Sequence, residues 1–457
     1  MIVERREKTF DIGGWFQNIG TSRSNIIFFI IFALISSLLI LFFSPRYALL
    51  LVATIVCAIF IILYPFVGVC AYYIVEIIAP QTLVWGGSPR IAMIIVLFTG
   101  FAGLLSIART KAKFVFVKQS YIILCFWACL LFSCFYAQYQ YLAWEKFKEY
   151  YSKFFIFFFI STNLISTKGQ FLSVIGTFTS MFALFGVRGI RAFLLGASSY
   201  EGIGGKLGAD NNLFGMTMVM GLPFVLYPFL MKESVSLRKK TCISIFLPAV
   251  ICTIICTYSR GAFLGMVLVL FFIFLRMKRK LLTLLLILCI LPFVLFILPL
   301  AYKERIQSIT TYKEDASSMS RLELWGTGLK MICDNPLTGV GLHGFSYFVE
   351  IYNPDIPDHS KGLVAHNAYI ELAAEAGIIT FFFYALLIIT SLLDLYKLRK
   401  KFIADKENYW IIPITYLLEC SLCGYLICSM FGSTETFEVL YFLCGIVVML
   451  KNVAGKS

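Results

Sequence analysis

The sequence is short of charge, of histidine and of paired cysteines. Only 14% of its 457 residues are Asp, Glu, Lys or Arg, and only three are histidine. Soluble domains carry about 25% charged residues, so a soluble globular domain is excluded. Cys420 and Cys423 have Cys-x-x-Cys spacing, but they lie within one apolar run and no second pair accompanies them. We therefore predict no metal site, no cofactor and no disulfide framework.

In place of charge, the chain has long apolar runs. Hydrophobic residues make up 60% of the sequence, and the mean hydropathy is +0.86. Continuous runs of about 18 or more apolar residues predict membrane-spanning helices rather than alternating strands. The predicted fold class is all-α: a polytopic transmembrane helical bundle of about 12 (at most about 14) spans, forming one integral-membrane domain over residues 1–457. The predicted spans are Asn25–Phe43, a double run over Tyr47–Pro80, Ile91–Ile107, Tyr121–Tyr136, Phe154–Ile165, Phe171–Val187, Asn212–Met231, Cys242–Tyr258, Gly261–Leu275, Leu281–Leu300, Ala368–Leu395, Trp410–Met430 and Phe437–Met449.

The positive charge of the chain predicts its orientation. The net charge is +14, and Lys and Arg cluster in short loops between the apolar runs. Basic loops remain in the cytoplasm and meet anionic lipid, so the charge is explained without nucleic acid. If the double run forms two spans, counting spans from these loops places both termini in the cytoplasm. Three segments then lie on the outer face: Arg188–Asn211, the turn Tyr258–Gly261, and a large loop of residues 301–366.

The loop of residues 301–366 is the longest polar interruption, and it contains all three histidines, His343, His359 and His366. Leu322, Trp325, Leu329 and Ile332 recur at helical spacing within it. This pattern predicts an amphipathic helix on the outer membrane interface, with Trp325 at headgroup depth. The Asp334–Pro336 segment is expected to end that helix, and Gly339, Gly341 and Gly344 predict a compact turn-rich segment after it.

His366 is the first candidate for chemistry, because it stands directly before an apolar run. Its imidazole is suited to general-base catalysis near neutral pH. Glu371 and Glu375 follow on one face of the next helix, and Glu371 is placed well round that helix from the imidazole. The alternative is that His366 is a helix N-terminal residue solvated at the interface.

Arginines on the outer face are the second set of candidates. Arg260 lies between two apolar runs, where a guanidinium asks for an anionic partner and is suited to phosphate. Arg188 and Arg191, with Lys206, have the composition of a diphosphate clamp. Arg321 either contacts the ligand or anchors its interfacial helix. The alternatives are a snorkelling Arg260, paired with lipid phosphate or an acidic side chain, and a solvated loop for Arg188 and Arg191.

Together, these residues favour a lipid-linked phosphate substrate over a cation pathway. Arginines can hold and stabilise a diphosphate leaving group, while a histidine deprotonates an acceptor hydroxyl. A glycosyl transfer that needs no metal ion would require this combination. A transporter would instead place charged residues in the middle of its spans and repeat its two halves, and neither pattern is evident in the sequence.

Several short motifs, in order, resemble the O-antigen ligase / Wzy polymerase superfamily. They are Asp210–Asn212 opening a span, Ser259–Ala262 between two spans, Arg321, Trp325, Asp334–Gly341 and Phe345 in the large loop, and then His366–Tyr369 and Glu375–Gly377. The similar region covers roughly Arg188 to Ile379. Residues Pro80–Gly86, together with Asp210–Asn212, are also similar to O-glycosylation ligases of the same superfamily.

The resemblance implies a bacterial inner-membrane glycosyltransferase of the GT-C type, acting in lipopolysaccharide biosynthesis. Such enzymes take a glycan from undecaprenyl diphosphate on the periplasmic face. The ligase branch transfers it to a lipid A–core hydroxyl, and related branches transfer it to a protein hydroxyl or extend the glycan. By the family pattern, His366 and Arg260 match the essential histidine and arginine, Arg188 and Arg191 match the diphosphate-binding region, and Arg321 matches loosely. A base role for His366, with inversion at the anomeric carbon, is implied by the family alone.

Overall fold

The computed structural model describes residues 55–79, 91–110, 114–196, 210–230, 246–276, 316–354 and 363–455. The chain divides into two compact units, residues 1–64 and residues 65–457, of which the first contributes a helical stretch over residues 55–63. The predicted spans Asn25–Phe43 and Leu281–Leu300, residues 47–54 and 80 of the double run, Lys206 and His359 lie outside the described residues.

The second unit is built from helices. Helix accounts for 83% of the described residues, which contain no strand. A π-helical turn, Phe147–Tyr151, precedes the helix Ser152–Leu164, and a 3₁₀ turn, Ser429–Phe431, follows the helix Ile411–Cys428. The helices are α1 (Pro65–Ile78), α2 (Ile91–Thr110), α3 (Lys118–Tyr136), α4 (Gln140–Lys146), α5 (Ser152–Leu164), α6 (Lys168–Leu194), α7 (Asn211–Leu230), α8 (Phe246–Cys256), α9 (Arg260–Arg276), α10 (Ala316–Asp334), α11 (Phe345–Tyr352), α12 (Ala368–Phe402), α13 (Ile411–Cys428) and α14 (Glu438–Ala454).

Five helices of the described part are long and apolar enough to cross a membrane: α2, α3, α6, α12 and α13, the last with its 3₁₀ turn. The ends of α2 and α3 agree with the predicted spans to within three residues. Large apolar side chains such as Leu97 and Leu104 are 62% and 65% exposed, as expected for helix faces that meet lipid. The protein is therefore an integral membrane protein with an all-helical fold. The total of about 12 to 14 spans remains a prediction.

Helix α6 differs from its predicted span, which ended at Val187. The helix continues to Leu194, so Arg188 and Arg191 lie within its last turns and not in a loop beyond it. The prediction placed the helix end at the first charge. Arginine is a good helix former and its stem packs along apolar surface, so the helix continues through both residues.

The predicted helix in the large loop is present as α10, but its buried face is a different one. Leu324, Thr327 and Met331 are buried, whereas Leu322 and Leu329 are 45% and 55% exposed. Helix α10 packs on α12 and α11, so the protein and not the lipid selects its buried face. The indole of Trp325 on α10 is half-buried, and its Nε1–H donates to the backbone carbonyl of Ala365, in the segment before α12 (2.9 Å). Its depth at the membrane interface remains a prediction.

Helix α12 is broken at Gly377, where φ is +84° and ψ is 165°. The Asn335–Gly341 segment fills the break. The N–H groups of Val340 and Gly341 donate to the carbonyls of Ala374 and Glu375 (2.8 and 2.9 Å), and the Ile378 N–H donates to the Pro336 carbonyl (2.8 Å). A broken membrane helix persists where neighbouring protein satisfies the freed backbone groups. The first turns of α12 are thereby held apart from the long helix that follows.

Candidate active site

Six helices have one of their ends at the same end of the bundle. Helices α6 and α8 run parallel, because Gly186 lies against Val250 and Gly189 against Thr253, so both end on this side. Gly215 near the start of α7 approaches Ala262 near the start of α9, so these two helices begin together. Helix α12 also begins here and α13 ends here, since the Tyr369 hydroxyl of α12 donates to the Leu426 carbonyl (2.7 Å).

A cavity of about 120 Å³ lies among these helix ends. Its lining comes from four separate parts of the sequence, within residues 210–216, 259–262, 364–366 and 428–434. Asp210, Ser259 and His366 belong to that lining. The predicted motifs around these three residues, far apart in the chain, therefore meet at one place.

Three helices begin at this cavity, and a short polar side chain caps each of them. Asp210 Oδ1 accepts from the Leu213 N–H (2.7 Å), and Ser259 Oγ accepts from the Ala262 N–H (3.3 Å). Asn367 Oδ1 accepts from the backbone N–H groups at positions 369 and 370 (3.1 and 3.3 Å). The N-terminal ends of α7, α9 and α12 carry the positive ends of their dipoles, so the cavity is suited to an anionic group.

His366 is half-buried at the wall of the cavity. Burial lowers the pKa of its imidazole, the nearby charge of Arg321 lowers that pKa further, and Asp210 opposes both by raising it. A histidine with a lowered pKa is neutral at physiological pH and can accept a proton. The structure thus brings His366, Arg321 and Asp210 into electrostatic contact.

Arg260 and the two arginines of α6 are placed differently. Arg260 begins α9, is half-buried, and stands between Ser259 and Gly261, which both line the cavity. Arg188 is half-buried and Arg191 exposed on the end of α6 that lies on the same side of the bundle. None of these three arginines is among the cavity-lining residues. His343 is exposed and is likewise not among them.

A buried ionic cluster lies behind the cavity. Lys146 Nζ is 2.8 Å from Glu375 Oε2 and 3.0 Å from Glu435 Oε1. The carboxylate of Glu371 also interacts electrostatically with the Lys146 ammonium. Burial alone would lower the pKa of the Lys146 ammonium, but the three carboxylates outweigh it and hold that pKa above its usual value. No group of three or more His, Cys, Asp or Glu in the described residues is arranged to hold a metal ion, and here a lysine occupies the space between the glutamates.

The cluster and the residues around His366 include members that the sequence analysis missed. Lys146 lies beside Glu145 and Lys148, so it looks like part of an ordinary polar loop. Glu435 and Ser433 lie in the short segment between the last two predicted spans. The carboxylate of Glu435, close to the start of an apolar run, was the signal that could have identified this segment as functional. Helix capping was a second signal, because Asp210, Ser259 and Asn367 each precede an apolar run.

Comparison with known proteins identifies two regions. A family model described as "O-Antigen ligase" matches residues 245–385. A second model, described as "Family of unknown function (DUF5935)", matches residues 47–222. No curated protein matches the chain. The first match spans α8, α9, α10, α11 and the start of α12, and so includes Ser259, Arg260, Arg321 and His366. Residues 245–385 thus match an O-antigen ligase domain, which supports the predicted O-antigen ligase / Wzy superfamily.

Proposed function

We propose that the protein is an O-antigen ligase-type glycosyltransferase of the GT-C class. In this proposal it transfers a glycan from undecaprenyl diphosphate to an acceptor hydroxyl, in the first instance on lipid A–core. The reaction takes place at the periplasmic face of the bacterial inner membrane, with both termini of the chain in the cytoplasm. The observation that supports the proposal is that His366 and three capped helix N-termini meet at one cavity. Arg260 begins one of these helices, and the charge of Arg321 acts on the His366 imidazole.

The donor's diphosphate suits the positive side of this cavity. Arg260 and Arg321, with the N-terminal ends of α7, α9 and α12, would neutralise charge on the phosphate oxygens as it develops. A guanidinium binds phosphate in bidentate fashion, which a lysine cannot reproduce. Arg188 and Arg191, at the end of α6, would bind the donor at the approach to the cavity and not at the reacting carbon.

The acceptor side of the reaction requires a base, and in this proposal His366 supplies it. Its neutral imidazole would take the proton of the acceptor hydroxyl as that oxygen attacks the anomeric carbon. The bond from that carbon to the diphosphate oxygen breaks, and undecaprenyl diphosphate departs with the bonding electron pair. Attack from the face opposite to the leaving group inverts the anomeric configuration. The residues of this step need no metal ion for charge neutralisation, because the arginines provide it.

The direct test uses purified protein, undecaprenyl-diphosphate-linked glycan as donor, and a chelator of divalent metals. Wild-type protein should release undecaprenyl diphosphate and form glycosylated acceptor. Loss of a general base typically costs about 10²- to 10⁴-fold in rate, so His366→Ala should fall by that factor. His343→Ala is the matched control, because His343 is exposed outside the cavity, and its rate should be unchanged. Full turnover by His366→Ala would reject the base assignment.

The acceptor separates the ligase from its relatives. A polymerase would elongate a second lipid-linked glycan, and a protein O-oligosaccharyltransferase would modify a hydroxyl peptide. Parallel reactions with lipid A–core, a second donor molecule and a serine-containing peptide therefore distinguish the three. Glycan transfer to the second donor molecule alone would show that the protein is a polymerase and not a ligase. Uptake of lipid-linked glycan into vesicles without a covalent product would replace all three with a transporter.

A further inference from the structure

The backbone at His366 has an unusual conformation. Its φ is +48°, in the left-handed region that residues with a Cβ rarely adopt. Such a conformation persists only where the surrounding structure determines it, and it is enriched at functional sites. Asn367, the next residue, is extended and caps α12. The direction in which the imidazole of His366 leaves the chain is therefore set by this one turn.

Side chains from three different elements hold that turn. The Ala365 N–H donates to Glu371 Oε2 of α12 (3.2 Å), and Trp325 Nε1 of α10 donates to the Ala365 carbonyl (2.9 Å). The His366 N–H donates to Ser433 Oγ, in the segment after α13 (3.2 Å). Three successive polar groups of the backbone are thus bound by side chains and not by neighbouring backbone.

Two of the three contacts are joined, because Ser433 is itself bound to Glu371. The Ser433 hydroxyl accepts from the His366 N–H and donates to Glu371 Oε2. One carboxylate oxygen therefore holds Ala365 directly and His366 through Ser433. Glu371 is 3% exposed, so its hydrogen bonds are shielded from water. A hydrogen bond in the low dielectric of a protein interior is stronger than one in water, so this oxygen is a firm anchor for the turn.

We propose that Glu371, Ser433 and Trp325 are positioning residues, which fix the left-handed turn at His366 and so aim its imidazole into the cavity. The proposal rests on the proposed function for the identity of the reaction. It goes beyond that function in assigning three residues that act through the backbone of His366 and not on the substrate. Displacing a catalytic group by about 1 Å can cost about 10²-fold in rate, which is the scale of effect to expect.

The variants separate positioning from substrate binding. Ser433→Ala, Glu371→Ala and Trp325→Phe each remove one of the three side chains that hold the turn, and each should lower kcat by about 10- to 100-fold with little change in the KM of the donor. Ser433→Thr keeps the hydroxyl and Glu371→Gln keeps an acceptor oxygen, so both should restore much of the loss. At each of Ser433 and Glu371, the conservative variant should therefore be more active than the alanine variant. A conservative variant that is no more active than its alanine variant would overturn the proposal.

Matched controls guard against a general loss of structure. Glu419→Gln removes a carboxylate that pairs with Arg276 and Arg399, away from the cavity. Ser391→Ala removes a buried hydroxyl that donates to the Leu387 carbonyl within α12 (2.8 Å). Both should keep the wild-type kcat. A similar loss of kcat in these controls would mean that removing buried polar groups lowers activity generally, which also overturns the proposal.

A readout without turnover distinguishes this proposal from the proposed function. Diethyl pyrocarbonate acylates neutral imidazoles, and mass spectrometry can follow His366 with the exposed His343 as internal reference. Ser433→Ala and Glu371→Ala should raise the reactivity of His366 severalfold relative to His343. Wild-type reactivity in both variants would refute the positioning role, even if His366→Ala is inactive. Raised reactivity together with an active His366→Ala would support the positioning role and reject the base assignment.

Discussion

Replacing Lys146 by Met tests the buried ionic cluster. The Lys146 side chain is 9% exposed and those of Glu375 and Glu435 are 3% exposed, with ion-pair distances of 2.8 and 3.0 Å. Methionine keeps most of the volume but leaves two buried carboxylates without a counter-charge. Breaking a buried pair in this way costs about 3–5 kcal/mol. We therefore expect the free energy of unfolding of Lys146→Met to fall by about that amount, measured by denaturant titration in detergent micelles.

Lys451→Met is the matched control for this prediction. Lys451 also pairs with one carboxylate, Asp394, at 2.7 Å, but its side chain is 38% exposed. Solvent screening limits such a pair to about 0–1 kcal/mol, so this variant should unfold near the wild-type midpoint. Adding Glu375→Gln and Glu435→Gln to Lys146→Met should recover part of the loss, because no unpaired charge then remains at the two sites. Equal destabilisation by Lys146→Met and Lys451→Met would refute the reasoning.

Two further predictions concern the acid limb of the pH–rate profile and the backbone beneath the site. The pKa of His366 is lowered, so the acid limb of kcat/KM should have its midpoint below 6.5. Arg321→Gln removes a positive charge that disfavours the imidazolium, so it should raise the pH at the midpoint of the acid limb. Asp210→Asn removes a negative charge that favours the imidazolium, so it should lower that pH. Gly339 has φ +65° and an added Cβ would lie 2.3 Å from a backbone carbonyl of α12, so Gly339→Ala should lower the free energy of unfolding by about 2 kcal/mol or more. Gly326→Ala, in a helix with open space around it, should be neutral or stabilising, and equal effects of the two alanines would contradict the clash.

The sequence predicted well those spans whose limits are determined by the residues of the span itself. Helices α3 and α13 fall within a few residues of their predicted limits, because an apolar run in lipid has to satisfy its own backbone hydrogen bonds as a helix. The end of α6 was missed because two arginines were taken as a boundary, although nothing in their chemistry ends a helix. The break at Gly377 was missed because the apolar run around it looks continuous, and the segment that fills the break is distant in sequence.

In the candidate site, too, the sequence identified residues with a local signal and missed residues whose contacts are distant in the chain. The sequence marked Arg260, Arg321 and His366 by residue type and motif, and the structure places His366 in electrostatic contact with Arg321. The sequence did not indicate Ser433, and it assigned Trp325 to the membrane interface, because the backbone groups that a hydroxyl or an indole reaches depend on the tertiary structure. Glu371 was seen as a carboxylate on the first turn of a helix, and its partner is the peptide preceding that helix.

By itself, the sequence determined the membrane class, the helical fold and the chemical types present on one face of the bundle. These follow from composition and from periodicity, which act over a few residues. Only the tertiary structure decided that three capped helix starts, at Asp210, Ser259 and Asn367, meet at one cavity. It alone decided which face α10 buries and how the turn at His366 is held. Those features depend on contacts between residues far apart in the chain, and no local pattern in the sequence specifies such contacts.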